Sequence, residues 1–428
     1  VSLYDVFKYI AMPGERVLQK IENKGVYIDQ DILRNVTDEY ECERDRLDDE
    51  ISDKLPKKWQ GIINLNSPKQ LAELLYTDLG LPVLVTTATG EPSTGKPALL
   101  RLVDFNELPR LILDRRRYEK ALNGFLLPWV DFLKDDGRLH STYDIAKTAT
   151  GRLCASEPNL QQVPRDPKVR NLISCTPGRD FIEADYSQLE LRVAAFVAGA
   201  ESMKNSYRAG IDLHTKTASQ MARVDISKVT KDMRTKAKPV NFGYLYGMWW
   251  KSYKPYAFDN YGIVVTDKEA EESRNIYFQT YPELLPWHER QKQEAHQFKS
   301  VRTPTGRIRH LPDIDSPDKD IRNGEERKAI NTPVQSFGSD ITLMAMIVID
   351  QEIERKYKGK ACLVGQVHDA IMAEADKDIS MEVALMIKRV MENVPVLLRK
   401  YFGVHFDVPL VAEVELGSAW GIGKIIGI

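Results

Sequence analysis

The chain has 428 residues, 43% of them hydrophobic, and a formal net charge of −2. That length buries a large core and predicts two to four domains. Near-neutrality gives no global sign of a polyanion partner, so any nucleic-acid surface must be local. Cys42, Cys154, Cys175 and Cys362 are widely spaced and form no Cys-x-x-Cys pair. They argue against a disulfide frame or a zinc site and read as small core residues in a reducing compartment. The apolar stretches fall short of a membrane span and there is no signal-peptide pattern, so a soluble intracellular protein is expected. The chain opens on Val1 and not Met, as a piece of a longer protein would.

In chain order, an opening stretch from Leu3 to Asn23 ends at Gly25 and leads into Val26–Asp29. Ile32, Leu33, Val36, Tyr40, Leu47, Ile51 and Leu55 recur at helical spacing, with Asp29 as the N-cap. Asn66-Ser67-Pro68 starts a second helix, Lys69 to Leu79, closed by Gly80, and residues 85–97 are the most loop-like segment. Leu108 to Leu133 is another long helix carrying Arg115, Arg116, Arg117 and Lys120. That cluster reads as solubility before it reads as a grip on phosphates. Together these helices predict a projecting hairpin. Arg138 to Tyr143 alternates like a strand, and Thr148 to Pro164 is an amide-rich loop.

Asp180 to Ala184 reads as a buried strand that delivers Asp185 at its end, with a helix opening over Ser187–Val197. A carboxylate there is costly unless something positive meets it, and a divalent cation suits hard oxygen ligands. Residues 201–330 read as mostly helical, with helices opening at Asp212-Leu-His214 and Lys228 and a pair between Asp267 and Ser300. Thr303–Arg309 is a turn with strand-like flanks, and Glu325–Lys356 is a long helix. Cys362–Glu374 is a hairpin with His368-Asp369 at its tip, where Gly or Asn is preferred. An acid held there in an apolar hairpin points to function. Asp378–Tyr401 is an amphipathic helix and Pro409–Leu416 a closing strand.

If the hairpin packs beside the Asp185 strand, two carboxylates face one point, an arrangement that can bridge two Mg²⁺. Separate capping or pairing of each acid is the competing reading. Arg234, Lys238, Phe242 and Tyr246 are spaced by four and share one helix face: two cations, then two aromatics, suiting a triphosphate and a base. A surface salt-bridge stripe has the same spacing. Pro239 lies within this helix and predicts a bend. Arg327, Asn331 and Gln335 form a second stripe by four, whose amides suit a duplex minor groove or an ordinary polar face.

Thr148-Ala-Thr-Gly-Arg-Leu, Asp185-Tyr-Ser-Gln-Leu-Glu-Leu-Arg, Arg234-x3-Lys238-x3-Phe242-Gly-x-x-Tyr246-Gly, Arg327-x3-Asn331-x3-Gln335 and Val367-His-Asp369 stand in one order over nearly the whole chain. Together they resemble family A DNA polymerases of the bacterial DNA polymerase I and phage type. The resemblance implies an α+β right hand with a thumb (27–135), an antiparallel-sheet palm (136–200 and 335–428) and helical fingers (201–334). Residues 1–26 would be a connector from an exonuclease-like region. It implies template-directed addition of deoxynucleotides to a primer 3′-hydroxyl, using two Mg²⁺, with Mn²⁺ as a substitute. Partners would be a primer–template duplex and deoxynucleoside triphosphates. A monomer in the cytoplasm of a bacterial or phage-infected cell is expected, without a membrane.

By that likeness Asp185, Asp369 and the Tyr186 carbonyl hold metal. Arg234, Lys238 and His214 clamp the triphosphate, with Lys238 a proton donor to the leaving group. Phe242 and Tyr246 lie at the base pair being formed, beside Gln188. Glu190 blocks a ribose 2′-hydroxyl. Arg152, Asn159, Gln162, Arg327, Asn331, Gln335 and His368 hold DNA. Two departures matter: Ala370 stands where the family places Glu, and Phe242 lacks the hydroxyl that some relatives carry. No Asp-x-Glu site precedes the thumb, so no proofreading is expected of this polypeptide. The alternatives are a catalytically silent DNA-binding subunit, favoured by Ala370, and an RNA polymerase of the same fold, disfavoured by Glu190.

Overall fold

The computed structural model describes residues 2–426; Val1 and residues 427–428, the extremes of the first and last predicted segments, lie outside the described residues. The chain divides into two compact units, Asp29–Leu133 with Val163–Leu172, and the remainder.

In the smaller unit, Asp29 accepts hydrogen bonds from the Asp31 and Ile32 amides and starts the helix Gln30–Lys54. Ser67 caps the helix Pro68–Ala72, which widens into a π-helical stretch, Glu73–Asp78. Leu71, Leu74 and Leu75 from it pack with Ile51, Leu55, Trp59, Leu102 and Ile112 into one apolar cluster. The loop, expected over 85–97, runs over residues 80–95 with a Thr86–Pro92 bridge and ends where the helix Lys96–Leu102 begins. The basic cluster has mixed fates. Arg115 pairs with Asp48 and Glu119, Arg116 donates to the Thr94 carbonyl at 2.7 Å, and Arg117 lies over the Tyr118 ring. Arg115 and Arg116 are therefore internal ties.

The larger unit is built on an antiparallel sheet. Its strands are β1 (Val26–Ile28), β2 (Arg138–Leu139), β5 (Ile173–Ser174), β6 (Arg179–Tyr186), β9 (Ala361–Val367), β10 (Ala370–Asp376), β11 (Ala412–Ala419) and β12 (Ile422–Ile426). The order is β2-β1-β5-β11-β6-β10-β9, with β12 on β11. Two-stranded ribbons β3 (Thr142–Asp144) with β4 (Cys154–Ser156), and β7 (Ser300–Arg302) with β8 (Ile308–His310), stand apart from it. Phe181, Ile182 and Ala184 of β6 and Ile371 and Ala373 of β10 are fully buried. The helix Lys319–Lys356 crosses this core. Its apolar half has the length and hydropathy of a membrane span, contrary to the sequence expectation, but 89% of that stretch is buried within the protein.

Several expectations are corrected. Arg138–Tyr143 is two short strands in different sheets, because residues 140–141 leave the first ladder before β3 begins. The helix over 378–401 breaks at Asn393 into Ser380–Glu392 and Val394–Phe402. Pro395, lacking an N–H, opens the second helix rather than continuing the first. The β12 strand was not foreseen. Residues 3–24, expected as a connector, are helical and bury Ile10, Leu18 and Ile21 in the main core. Among the cysteines Cys42 is exposed and the others half-buried; all four are free thiols, and none is a core residue.

One buried ion pair ties strand β2 to β10. Arg138 donates to the Gly25 carbonyl at 2.8 Å, to Thr176 and to Glu374 at 3.0 Å, and Glu374 is completely buried. Removing one partner of such a pair strands the other charge. Arg138→Ala is expected to cost about 3–5 kcal/mol in urea unfolding, whereas the surface pair partner Lys20→Ala costs under about 1 kcal/mol.

Candidate active site

Strand β6 ends at Tyr186 and the helix Leu189–Val197 begins three residues later. The joint works because Gln188 adopts a left-handed backbone (φ +55°) and Arg192 reaches back. Its guanidinium donates to the Ser187 carbonyl at 2.7 Å and to the Pro409 carbonyl at 2.5 Å, and lies over the Tyr207 ring. The hairpin between β9 and β10 turns through His368, which has φ +54°. Register fixes the result: Asp185 lies opposite Ala370, so Asp369 stands beside Asp185 at the open end of the paired strands.

On the other flank Asp185 lies opposite Glu413 of β11. Cross-strand partners share a sheet face, so Ala370, Asp185 and Glu413 form one row. Asp185 is exposed at the open strand end, yet protein atoms and other acids crowd its carboxyl, and its acidity shows it. Desolvation, then the charges of Asp369, Glu183 and Glu413, push it up to about 7. Desolvation and Glu190 push Asp369 up to about 6, against the pull of Arg152. Arg152 pairs with Glu190, whose other oxygen accepts from the Tyr246 hydroxyl. The Tyr186 ring is buried and its hydroxyl donates to the Met391 carbonyl at 2.8 Å.

The cationic side is held by Asp212, which sequence reasoning saw only as the start of a helix. It does cap the helix Leu213–Ala222 through the Thr215 amide at 2.6 Å. It also receives two hydrogen bonds from Arg234, at 3.1 and 2.8 Å, and one from the Gln188 amide. Burial alone would raise the Asp212 carboxyl; the bonds from Arg234 and Thr215 outweigh it and hold it at about 2. Gln188 accepts from Tyr207 at 3.1 Å, so its amide is spent inside this network.

Arg234 and Lys238 lie on the helix Lys231–Leu245, capped by Thr230, with Pro239 inside it. Lys238 is half-buried and forms no ion pair among the described residues. His214 is 4% exposed, and burial pulls its imidazole down to about 4, so it is neutral at pH 7. Asn241 was also missed. Its carbonyl accepts from Thr217 at 2.8 Å while its amide donates to the Ala237 carbonyl and, at 2.9 Å, to His214 Nδ1. The His214 hydrogen is therefore on Nε2. The Phe242 ring lies 5.5 Å from that of His214.

Phe242, Tyr246, Trp249, Arg327 and Asn331 line one cavity of about 1070 Å³. Arg327 is exposed, and Asn331 and Gln335 are half-buried on a helix that is otherwise mostly core. The polar stripe thus faces outward. Asn159 spends its side-chain oxygen on the Gln161 amide at 3.1 Å, and Gln162 and His368 are exposed. Among the described residues no group of three or more acid, His or Cys side chains could by itself enclose a metal ion. Asp185 and Asp369 are the two strongly perturbed acids at the strand ends.

Comparison with known proteins decides what this arrangement belongs to. A family profile described as DNA polymerase family A matches residues 30–422. The chain belongs to that family. DNA polymerase I of Caldicellulosiruptor bescii is 36% identical over 97% of this chain and 47% of its own length. The thermostable DNA polymerase I of Thermus filiformis is 37% identical over 97% of this chain and 48% of its own. The DNA polymerase of Bacillus phage SP01 is 31% identical over 97% and 50%. The chain thus spans about half the length of the curated relatives it matches. Among solved structures, the POL domain of Pol1 from M. smegmatis, in complex with DNA primer-template and dNTP, superposes with a TM-score of 0.87 at 27% identity. That match covers 96% of this chain and 70% of the other. The α+β fold with an antiparallel sheet is therefore the family's polymerase-domain fold.

The raised pKa of Asp185 has a thermodynamic consequence for the metal-free chain. A carboxyl whose folded pKa lies above its unfolded value of 3.8 stabilises the fold at low pH, and that stability is lost as pH rises through about 7. Asp185→Asn is therefore expected to raise the melting temperature at pH 8 in chelator. The gain should shrink as pH falls through 7 and vanish near pH 4. A variant that melts below wild type at pH 8 would contradict the like-charge crowding.

Proposed function

We propose that this chain is the catalytic portion of a DNA polymerase, adding deoxynucleotides to a primer 3′-hydroxyl under the direction of a template. The observation that carries the reading is the convergence of Asp185 and Asp369, each held well above the ordinary carboxylate range, at paired strand ends within one unit that also holds Arg234 and Lys238. Like charges forced together favour a cation between them. Asp185, Asp369 and the Tyr186 carbonyl would hold Mg²⁺, or Mn²⁺ in its place. When bound, the ions lower the pKa of a primer hydroxyl and neutralise charge on the departing pyrophosphate.

The chain's own residues supply the rest. Arg234, pinned by Asp212, presents a pre-set guanidinium to the triphosphate, and His214 offers a neutral Nε2–H. Lys238, bound to no acid among the described residues, would hold the leaving phosphate and give it a proton. Phe242 and Tyr246 flank the forming base pair, with Gln188 acting through Asp212. Glu190, fixed between Arg152 and Tyr246, occupies the space a ribose 2′-hydroxyl would need. Arg152, Asn159, Gln162, Arg327, Asn331, Gln335 and His368 hold primer and template, mainly without reading sequence. In this reading residues 27–135 act as thumb, 136–200 with 335–428 as palm, and 201–334 as fingers. The enzyme works as a cytoplasmic monomer, without proofreading by these residues. The M. smegmatis domain described with primer-template and dNTP supports both substrates.

A silent DNA-binding subunit is the second reading, favoured by Ala370. Primer extension with Mg²⁺ separates the two. Wild type is expected to extend, and Asp185→Ala and Asp369→Ala to fall by at least about a thousand-fold. Extension that survives either change would sink the two-acid mechanism. Deoxynucleotides should be used in preference to ribonucleotides, and normal substrates in preference to dideoxynucleotides, because Phe242 offers no hydroxyl to replace a missing 3′-hydroxyl. Equal use of both in the same assay, or 3′-trimming by the purified chain, would overturn the corresponding assignment.

A further inference from the structure

Trp249 and Trp250 follow the Lys231–Leu245 helix, and the proposed chemistry uses neither. Trp250 is half-buried and packs against the main core. Trp249 is different: it is 52% exposed, although an indole has more to gain from burial than most side chains. Its ring is not loose. The Arg274 guanidinium lies 4.8 Å from its centre and 4.9 Å from that of Phe278, so the three groups stack in layers. Such cation–π layering orients the indole and leaves much of it open.

Trp249 opens into the 1070 Å³ cavity shared with Phe242, Tyr246 and Asn331. That space is at the upper end of the roughly 300–1,000 Å³ of an ordinary small-ligand pocket. Its lining carries four cations, Lys292, Arg309, Arg327 and Lys328, against the acids Asp320 and Glu326. Lys292 lies 3.7 Å from Glu326 and His296 Nε2 3.3 Å from it, Lys328 pairs with Glu325, and Arg327 has no ion pair among the described residues. An anchored, open aromatic face beside Arg327, a cation with no ion pair among the described residues, is the chemistry that binds single-stranded nucleic acid: rings for bases, charge for phosphates. Paired bases are already stacked on both faces. In a primer–template the unpaired bases are those of the template ahead of the primer end.

We propose that Trp249 is a stacking platform for unpaired template bases beyond the templating position, with Arg327 beside it for their phosphates. The assignment rests on the polymerase reading above. It is tested by the affinity of the whole chain for hairpin primer–templates carrying either a single-nucleotide overhang or one of about six nucleotides, without nucleotide triphosphate. Trp249→Ala should weaken the longer overhang about ten-fold and leave the single-nucleotide overhang unchanged, and Trp249→Phe should keep most of the affinity. A 2-aminopurine at the second unpaired template position should be quenched by wild type and not by Trp249→Ala, a readout that altered packing alone would not move. Equal affinities for the longer overhang, equal losses on both substrates, or unchanged quenching would overturn the proposal. Failure of wild type to extend a primer would count against the polymerase reading alone, since affinity and quenching are read without turnover.

Discussion

The molecule keeps two carboxylates closer than they would choose to be. Asp185 ends β6, Asp369 sits at the turn before β10, and the ladder between those strands gives neither any freedom to withdraw. Behind them, Phe181, Ile182, Ala184, Ile371 and Ala373 are buried, so sliding the register would drag apolar side chains out of the core. Burial is the first reason that both carboxyls are pushed up, Asp185 to about 7 and Asp369 to about 6; Asp369, Glu183 and Glu413 add like charge at Asp185, and Glu190 adds it at Asp369. On the proposed reading, a cation between the two acids would relieve part of that cost.

Opposite charge is arranged by the reverse principle. Where the acids are left unpaired, the basic groups around them are partly committed. Asp212 fixes Arg234 with two hydrogen bonds, and Glu190 fixes Arg152. A guanidinium already ordered by a carboxylate loses little further freedom when it meets a phosphate. Lys238 and Arg327 form no ion pair among the described residues. The division separates side chains that define geometry from those that can respond to what arrives.

Much of this was legible in the sequence because it is periodic. The strand before Asp185, the hairpin around Asp369 and the stripes Arg234–Tyr246 and Arg327–Gln335 are each local patterns, and side chains that share a stripe share a face. What the sequence could not carry were partnerships between elements. Asp212 reads as an N-cap and is one, but nothing local says that Arg234 and Gln188 converge on the same carboxylate. Asn241 looks like a core polar residue until His214 is found against it. His214, read as part of the triphosphate clamp with no charge state assigned, is neutral because burial outweighs the charge of nearby Asp212. The cysteines show the opposite failure, since a compositional tendency toward burial is no guide to four particular sites.

Ala370 is best understood from the row it occupies. It faces Asp185 from β10 as Glu413 faces it from β11. A carboxylate at 370 would put a like charge on each flank of Asp185, in addition to Asp369 at the turn. With alanine there, one flank is neutral and the remaining pressure on Asp185 comes from Asp369, Glu183 and Glu413. Losing that acid therefore lightens the electrostatic load on the sheet without moving either strand end. The placement of Asp185 and Asp369, the pair proposed to hold a cation, is set by backbone register, which a side-chain change at 370 leaves intact.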